Sequence, residues 1–464
     1  MVQVVWFKKD FRTLDHAPLH AASLAGDVLP LYVVEPSIWN FGDLSVRHYQ
    51  FVKESLTDLN VRLKKLGASL YVMVSDMVEA LDRLYEILGP FVMHSHMEHG
   101  LTHTYERDRA VKAWMDAHEC VWREYQGDAV LRGKYVGHRP TYMKTYLKSP
   151  VIPVPKTIQG VKRSDKVLGN VDLLDTFTPP GSPADAPVRG GESEAIKHAN
   201  AFFQSRFKAY QISISKPAKS IHSSSYLSAY LTWGNISIKS LHKATENHLK
   251  TLKETQQTFY KKQLSAFHTR LFWRSHFVEK VEMKPWIDHI SKDPRYDDVR
   301  HRDSDAFKKF TTGHTGFPFV DACIRFLNRT SWLNFRQRAM LTSFACNTLL
   351  LDWKDVGRFL ATQWIDYEPG IHWSQIQMQA GLIPPRHIPI YDVIKQSKET
   401  DPDGAFIRMN VPELAHLNAD DIHEPWTLDS NPYIAPMVDY ATVLKASKET
   451  LYQIKKEPKR KPYV

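Results

Sequence analysis

The feature that most constrains this chain is a change of rhythm along its length. In the first hundred residues the short apolar runs VQVVWF, VLPLYVV, SLYVMV and FVMHSH alternate with helical spacing over Ala17–Ala25, Val46–Leu66 and Met77–Leu88. That alternation predicts a parallel sheet flanked by helices, with ligand sites at the carboxyl ends of the strands. Near residue 127 the composition shifts: KSPVIPVPK and TPPGSPADAPVRGG are rich in Pro, Gly and Ser. Such a stretch cannot sustain a long helix or a central strand, so it is expected to connect two domains. From Glu192 onward helical periodicity with caps replaces the strand rhythm. The expected organisation is an α/β domain over 1–130, a linker over 131–190 and an all-α domain over 191–464. A length of 464 residues suits two cores better than one.

A hydrophobic content of 43% excludes a disordered chain, and a net charge of +10 suits a polyanionic partner, nucleic acid above all. Three widely spaced cysteines, Cys120, Cys323 and Cys346, cannot build a disulfide framework, nor can they supply a four-cysteine iron–sulfur or metal site. They fit a reducing compartment. The start MVQVVWFKKD has no signal arrangement and no apolar run reaches membrane-spanning length. The expected setting is cytoplasmic, or nuclear in a eukaryote, with no membrane partner.

Residues 331–353, SWLNFRQRAMLTSFACNTLLLDW, read as one buried helix in which Trp332, Phe335, Ala339, Cys346, Leu349 and Trp353 recur at helical spacing. At about 100° per residue Arg336 and Arg338 fall on opposite flanks of that stripe. Their charges must snorkel to water or meet an anion in a cleft. Asp366 and Glu368 follow a neighbouring apolar helix, and if Arg338 and Asp366 are both interior they must pair. Ser224, Ser225 and Ser228 stand just before a helix, where they can cap it or help its amides hold a phosphate. There is no GxGxxG or Walker sequence, so a dinucleotide would be held another way. LFWRSHFVEK sets Trp273 and Arg274 on a helix with Phe277 a turn beyond; alone, it is a core helix with an edge arginine.

Together these segments resemble the photolyase and cryptochrome flavoproteins. WFKKDFRTLDHAPL (6–19) resembles the family's W-F-R-x-D-L-R-x-x-D-x-x-x-L, and SSYLS (224–228) its T-S-x-L-S loop. TGFPFVDACIRFLNRTSWLNFRQR (315–338) and FIRMNVPEL with HEPW (within 406–426) complete the pattern in order over nearly the whole chain. The resemblance implies a Rossmann-like α/β domain followed by an all-α domain clasping FAD. By position it implies that Tyr210, Ser224, Ser225, Leu227 and Ser228 meet the cofactor's phosphates and ribose. Arg338 and Asp366 would pair beside the isoalloxazine ring, and Glu368 stands where the family more often has Asp. It further implies a monomer that repairs UV-damaged DNA: reduced flavin, excited by blue light, passes one electron to a pyrimidine dimer. Trp273, Arg338 and Asp366 would serve that chemistry, and Arg270, Trp273, Arg274, Phe335, Arg336 and Gln396 would face lesion or DNA. A second, antenna chromophore of open identity is compatible with the resemblance.

The sequence also departs from the family. Arg270, Phe335 and Ala339 replace the Glu, Asn and Met usual in cyclobutane-dimer photolyases. An arginine only donates where a glutamate accepts. The paired histidines of (6-4) photolyases are missing too, with Asn334 and Phe335 in that stretch. Lesion choice is therefore open, and a cryptochrome-like photoreceptor with little repair activity is the alternative. Trp353 matches the middle of the family's three relay tryptophans, but Ile376 and Arg300 occupy the other two places; Trp332, Trp373 and Tyr391 are substitutes by type. His372 lies close to the place opposite the flavin's N5. In HSHMEHGLTH (94–103), His99 and His103 are four apart beside Glu98, but the stretch lies at a strand end and is expected to border an antenna rather than bind metal. The ending KKEPKRKPYV is expected to be a solvated basic tail.

Overall fold

A computed structural model describes residues 1–133, 139–161, 169–383 and 389–458; residues 459–464 of the basic tail lie outside them. Strands β1 (Gln3–Phe7), β2 (Val28–Val34), β3 (Tyr71–Val74), β4 (Val92–His96) and β5 (Val121–Tyr125) form one parallel sheet in the order β3-β2-β1-β4-β5. Chain order reverses between β1 and β4, so the crevice for a ligand opens at their carboxyl ends. β1, β2 and β4 are buried along their whole length, which is why they read as unbroken apolar runs. The sequence reading does not reach β5, because VWREY is a partly exposed edge strand whose Arg123 and Glu124 erase the apolar signal.

Helices α1 (Ala17–Ala25), α2 (Val46–Leu66) and α3 (Met77–Leu88) have the bounds expected from their periodicity, and α4 (Thr102–Ala117) joins them. α2 shows why. The His48 ring accepts from the Ser45 amide at 3.0 Å at its start, and Gly67 ends it in the left-handed region at φ +105°. Alternate residues of β1 serve two cores. Val4 and Trp6 join Leu81, Leu84 and Trp114 on one face. Val5 and Phe7 join Phe11 and Leu56 on the other, and that core runs on into Tyr230, Trp233 and Trp353. The sheet and the helical half are therefore fused through one apolar interior.

The connecting stretch is more ordered than its composition suggests. Arg139–Lys148 is helical, and Gly160 pairs with Val28 beside the sheet. Among the described residues no strand follows β5. The site is framed by α5 (Leu227–Thr232), α6 (Ile238–Glu254), α7 (Thr258–Met283), α8 (Phe335–Ser343), α9 (Trp353–Gln363) and α10 (Pro369–Gln379). Residues 331–353 are not a single helix. α8 passes into a π turn at Phe344–Thr348, and Leu350 at φ +52° reverses the chain before α9. The buried Asn347 amide bonds the Gln379 carbonyl at 2.7 Å, and Asp352 caps Lys354 N at 2.8 Å; both compete with a continuing helix. Among the described residues no helix is long and apolar enough to cross a membrane.

Candidate functional site

α8 and the segment before α10 bring Arg338 and Asp366 together. The guanidinium donates from Nη1 to Oδ1 at 2.9 Å and from Nη2 to Oδ2 at 3.2 Å, while its Nε donates to the Leu333 carbonyl at 2.7 Å. Its Cζ lies 4.3 Å from the centroid of the Trp364 ring. Burial alone would raise the Asp366 pKa. The charge and hydrogen bonds of Arg338, with a hydrogen bond from Ser228, outweigh it and hold the carboxyl below its ordinary value. Of the two arginines in the sequence stripe, Arg338 thus meets an internal carboxylate. Arg336 stays near the surface, with Nε donating to Gln396 Oε1 at 2.8 Å.

A cavity of about 290 Å³ opens beside the pair. Tyr210, Ser224, Ser225, Leu227 and Ser228 line one side of it. None of these serines caps α5: the N-cap is Tyr226, at φ +59° with no side-chain cap, although Ser225 Oγ accepts from the Leu227 amide at 3.3 Å. The hydroxyls and the first turn of α5 therefore border free space. Deeper in, Asn334 lines the cavity with its Oδ1 buried and without a partner. At the mouth stand Trp273 and Phe335, each 49% exposed, with the Arg270 guanidinium 5.9 Å from the Phe335 ring. Phe335 is the first residue of α8 and leaves the buried stripe in which the sequence placed it.

A recess of about 100 Å³ shares Phe335, Arg338 and Asp366 with the cavity and continues past Ala339, Glu368, His372 and Ile376. His372 Nε2 lies 2.9 Å from the Gly357 carbonyl, and burial pushes its pKa down to about 3, so the ring is neutral. Behind the recess, Trp373 lies 5.0 Å from His372 and 6.0 Å, edge-on, from Trp353. Trp353 is buried and donates to Asp297 at 3.0 Å. Arg300, at the outer relay place, is bonded to Asn347 Oδ1 at 3.2 Å. Trp332 lines the cavity itself, and Tyr391 packs partly buried against the core.

Two expected surface residues are turned inward. The Arg274 side chain is 13% exposed; its Nη1 is paired with Asp128, and its Nη2 donates to Leu231 O at 3.1 Å and Glu368 at 3.2 Å. It ties the loop after β5 to α5 and to the approach to α10, so its charge is consumed within the protein. Burial raises the Glu368 pKa and Arg274 only partly offsets it, whereas at Asp128 the same guanidinium overcomes burial and lowers the pKa. Gln396 is buried beneath Arg336 and does not line the cavity. The 94–103 histidines have local partners: His94 meets Gln3 at 2.8 Å, His96 Asp10 at 2.7 Å, His99 Glu282 at 2.7 Å, and His103 stacks on Phe41 at 3.7 Å. Sequence reasoning missed Asp128 and Trp364. Asp128 follows β5, a strand the sequence does not reveal, and nothing marked Trp364 apart from other core indoles.

Residues 3–147 match the family model described as DNA photolyase, and residues 267–453 match the one described as FAD binding domain of DNA photolyase. The chain belongs to the photolyase and cryptochrome family. Similar members of this family bear both names. A deoxyribodipyrimidine photo-lyase of Vibrio cholerae is 25% identical over 95% of this chain and 97% of its own length. A cryptochrome DASH of Gloeobacter violaceus is 24% identical over 92% of this chain and 88% of its own. The fold is shared with a crystal structure of a bacterial class III photolyase from Agrobacterium tumefaciens, at a TM-score of 0.85, 24% identity and 98% coverage of both chains. The photolyase and cryptochrome names among the relatives leave repair and photoreception undivided at this identity.

Proposed function

We propose that this chain is an FAD-dependent, blue-light-driven DNA photolyase that splits UV-induced pyrimidine dimers. The observation that carries the reading is the cavity. Hydroxyls and an uncapped short helix border one side, a bidentate Arg338–Asp366 pair forms its floor, and an aromatic, basic mouth opens to solvent. This donor set fits a dinucleotide with a flat ring. Ser224, Ser225, Ser228 and Tyr210 would hold phosphates and ribose, the guanidinium would offset negative charge on the ring, and Asn334 Oδ1 would accept a hydrogen bond. Bound and reduced, FAD would supply the excited electron that opens the dimer. The chain's own work is positioning: Trp273 and Phe335 offer faces to a flipped-out lesion, Arg270 donates to carbonyl or phosphate oxygens, and Arg336 attracts the backbone. We infer that Trp353 and then Trp373 would pass an electron inward to a bound cofactor, with an external reductant such as a thiol refilling the relay, given the contacts behind the recess. A second recess, walled by Trp6, Trp39 and Trp233, measures about 50 Å³ and would have to widen before it could take an antenna chromophore.

The second reading, a photoreceptor with little repair activity, is favoured by Arg270 lying against Phe335, which narrows the mouth. The test is to incubate the reduced protein with oligonucleotides carrying cyclobutane or (6-4) lesions, single- and double-stranded, in blue light and in darkness. Restored pyrimidines only in the light support repair. Light-independent binding with no restoration supports the photoreceptor.

A further inference from the structure

Outside the cavity, the hairpin of α6 and α7 holds a second cluster of chemistry-bearing side chains. His242 and Glu246 are one turn apart on α6 and so share a face. His268, on α7, meets them. Its Nε2 lies 2.8 Å from His242 Nδ1, with the rings stacked at 4.7 Å and 27°. His242 is 2% exposed, and its Nε2 is buried without a hydrogen-bond partner, facing Glu246 Oε2 at 3.3 Å. Two ligands on one tetrahedral zinc, with bonds of about 2.0 Å, stand about 3.3 Å apart. One donor atom from each of the three residues lies within 4.8 Å of the others. A rotation of His268 away from His242 Nδ1 and towards Glu246 would complete a three-ligand face.

We propose that His242, Glu246 and His268 form a binding site for a divalent transition-metal cation of the zinc class. The residue types suit it, since two imidazoles and a carboxylate are ligands for zinc and its neighbours rather than for calcium or magnesium. The two rings share one hydrogen bond, and a bound ion would take the place of the proton between them. Burial lowers the pKa of His242, with Glu246 opposing and Lys148 and Lys243 adding to it, and burial lowers that of His268 as well, the direction that favours the neutral ring a metal ion needs. Glu246 is partly open, with its side chain 44% exposed, which leaves a path for the ion and a coordination position for water. The Asp10, His16 and His96 cluster offers no comparable opening. There all three residues are buried, and both rings are already held on one carboxylate oxygen of Asp10. An ion at the hairpin would also fix the wall of the cavity mouth, because Arg270 and Trp273 follow His268 on α7. The site stands independently of the flavin reading.

The test is calorimetric titration of the full chain, first stripped with a chelator, with zinc chloride, together with cobalt(II) as a visible-spectrum probe. The expected result is binding of one ion per chain with tetrahedral cobalt absorption, and a melting temperature that rises with zinc. Glu246→Gln and His268→Asn should each weaken binding by more than about tenfold. Glu246→Gln lies at the surface and should leave the melting temperature without zinc unchanged, so loss of binding there is not loss of the fold. Failure to bind one ion per chain, or binding that both variants retain at full strength, would overturn the proposal.

Discussion

Removing the Arg338 guanidinium should orphan a buried carboxylate, and the consequences can be worked out from the geometry. The Asp366 side chain is 9% exposed and takes both ends of the guanidinium, so Arg338→Met leaves a desolvated anion with only the weaker Ser228 contact. Breaking such a pair from one side costs about 3 to 5 kcal/mol. The lower figure applies here, because Arg338 itself is one-quarter exposed. Asp366→Asn in the same background removes the stranded charge, so the double variant should be more stable than the sum of the two losses implies, by at least about 1 kcal/mol. The pH dependence follows the same logic. With Arg338 present, the depressed Asp366 pKa contributes stability above the ordinary carboxylate range, lost only as pH falls through and below it. Without Arg338, burial raises that pKa, and protonation relieves the strain as pH falls from 7 towards 5. The assay is urea unfolding of the flavin-free chain followed by tryptophan fluorescence, for the four members of the cycle at pH 7 and pH 5. Losses additive to within about 0.5 kcal/mol, or a loss in Arg338→Met that does not shrink at pH 5, would refute the reasoning.

Four further outcomes are expected. Trp373→Phe or Trp353→Phe should slow light-driven reduction of bound flavin at least tenfold while leaving flavin content unchanged, measured by bleaching of the bound chromophore under blue light with an external thiol. Burial holds the His48 and His372 pKa values at about 4 and about 3, so the unfolded chain takes up protons that the folded one does not. Stability should then be full above pH 6.5 and fall by about 2 kcal/mol per ring between pH 7 and pH 5, visible in urea midpoints and smaller in His372→Asn. Arg336→Ala should weaken DNA binding for all sequences alike and reduce the salt slope by about 1, whereas Arg274→Met should destabilise the protein by about 3 kcal/mol, because Asp128 and Glu368 lose a shared partner.

How much was legible in the sequence depended on how local the cause was. α1, α2 and α3 could be bounded because their caps and periodicity lie within a few residues of one another. β5 could not, because an edge strand needs no apolar alternation. The break after α8 is caused by Asn347 reaching Gln379, a contact between segments about thirty residues apart in the chain, which no window of helical spacing contains. The same distance effect separates Arg338 from Arg274. Both read as edge arginines, and which carboxylate each would meet was decided by segments packed against it from elsewhere. For Arg338 the family resemblance supplied Asp366 as the partner; for Arg274, which also lines the cavity, nothing supplied Asp128, which sits in a loop where the sequence showed only a change of composition.

The most direct measurement is the flavin content of the purified full-length chain, by absorption spectrum and by release of the chromophore on denaturation, with reconstitution from free FAD if it is low. The account expects one FAD per chain, lost in Arg338→Met. Protein that stays colourless and takes up no FAD, or a variant that keeps the full complement, would contradict it.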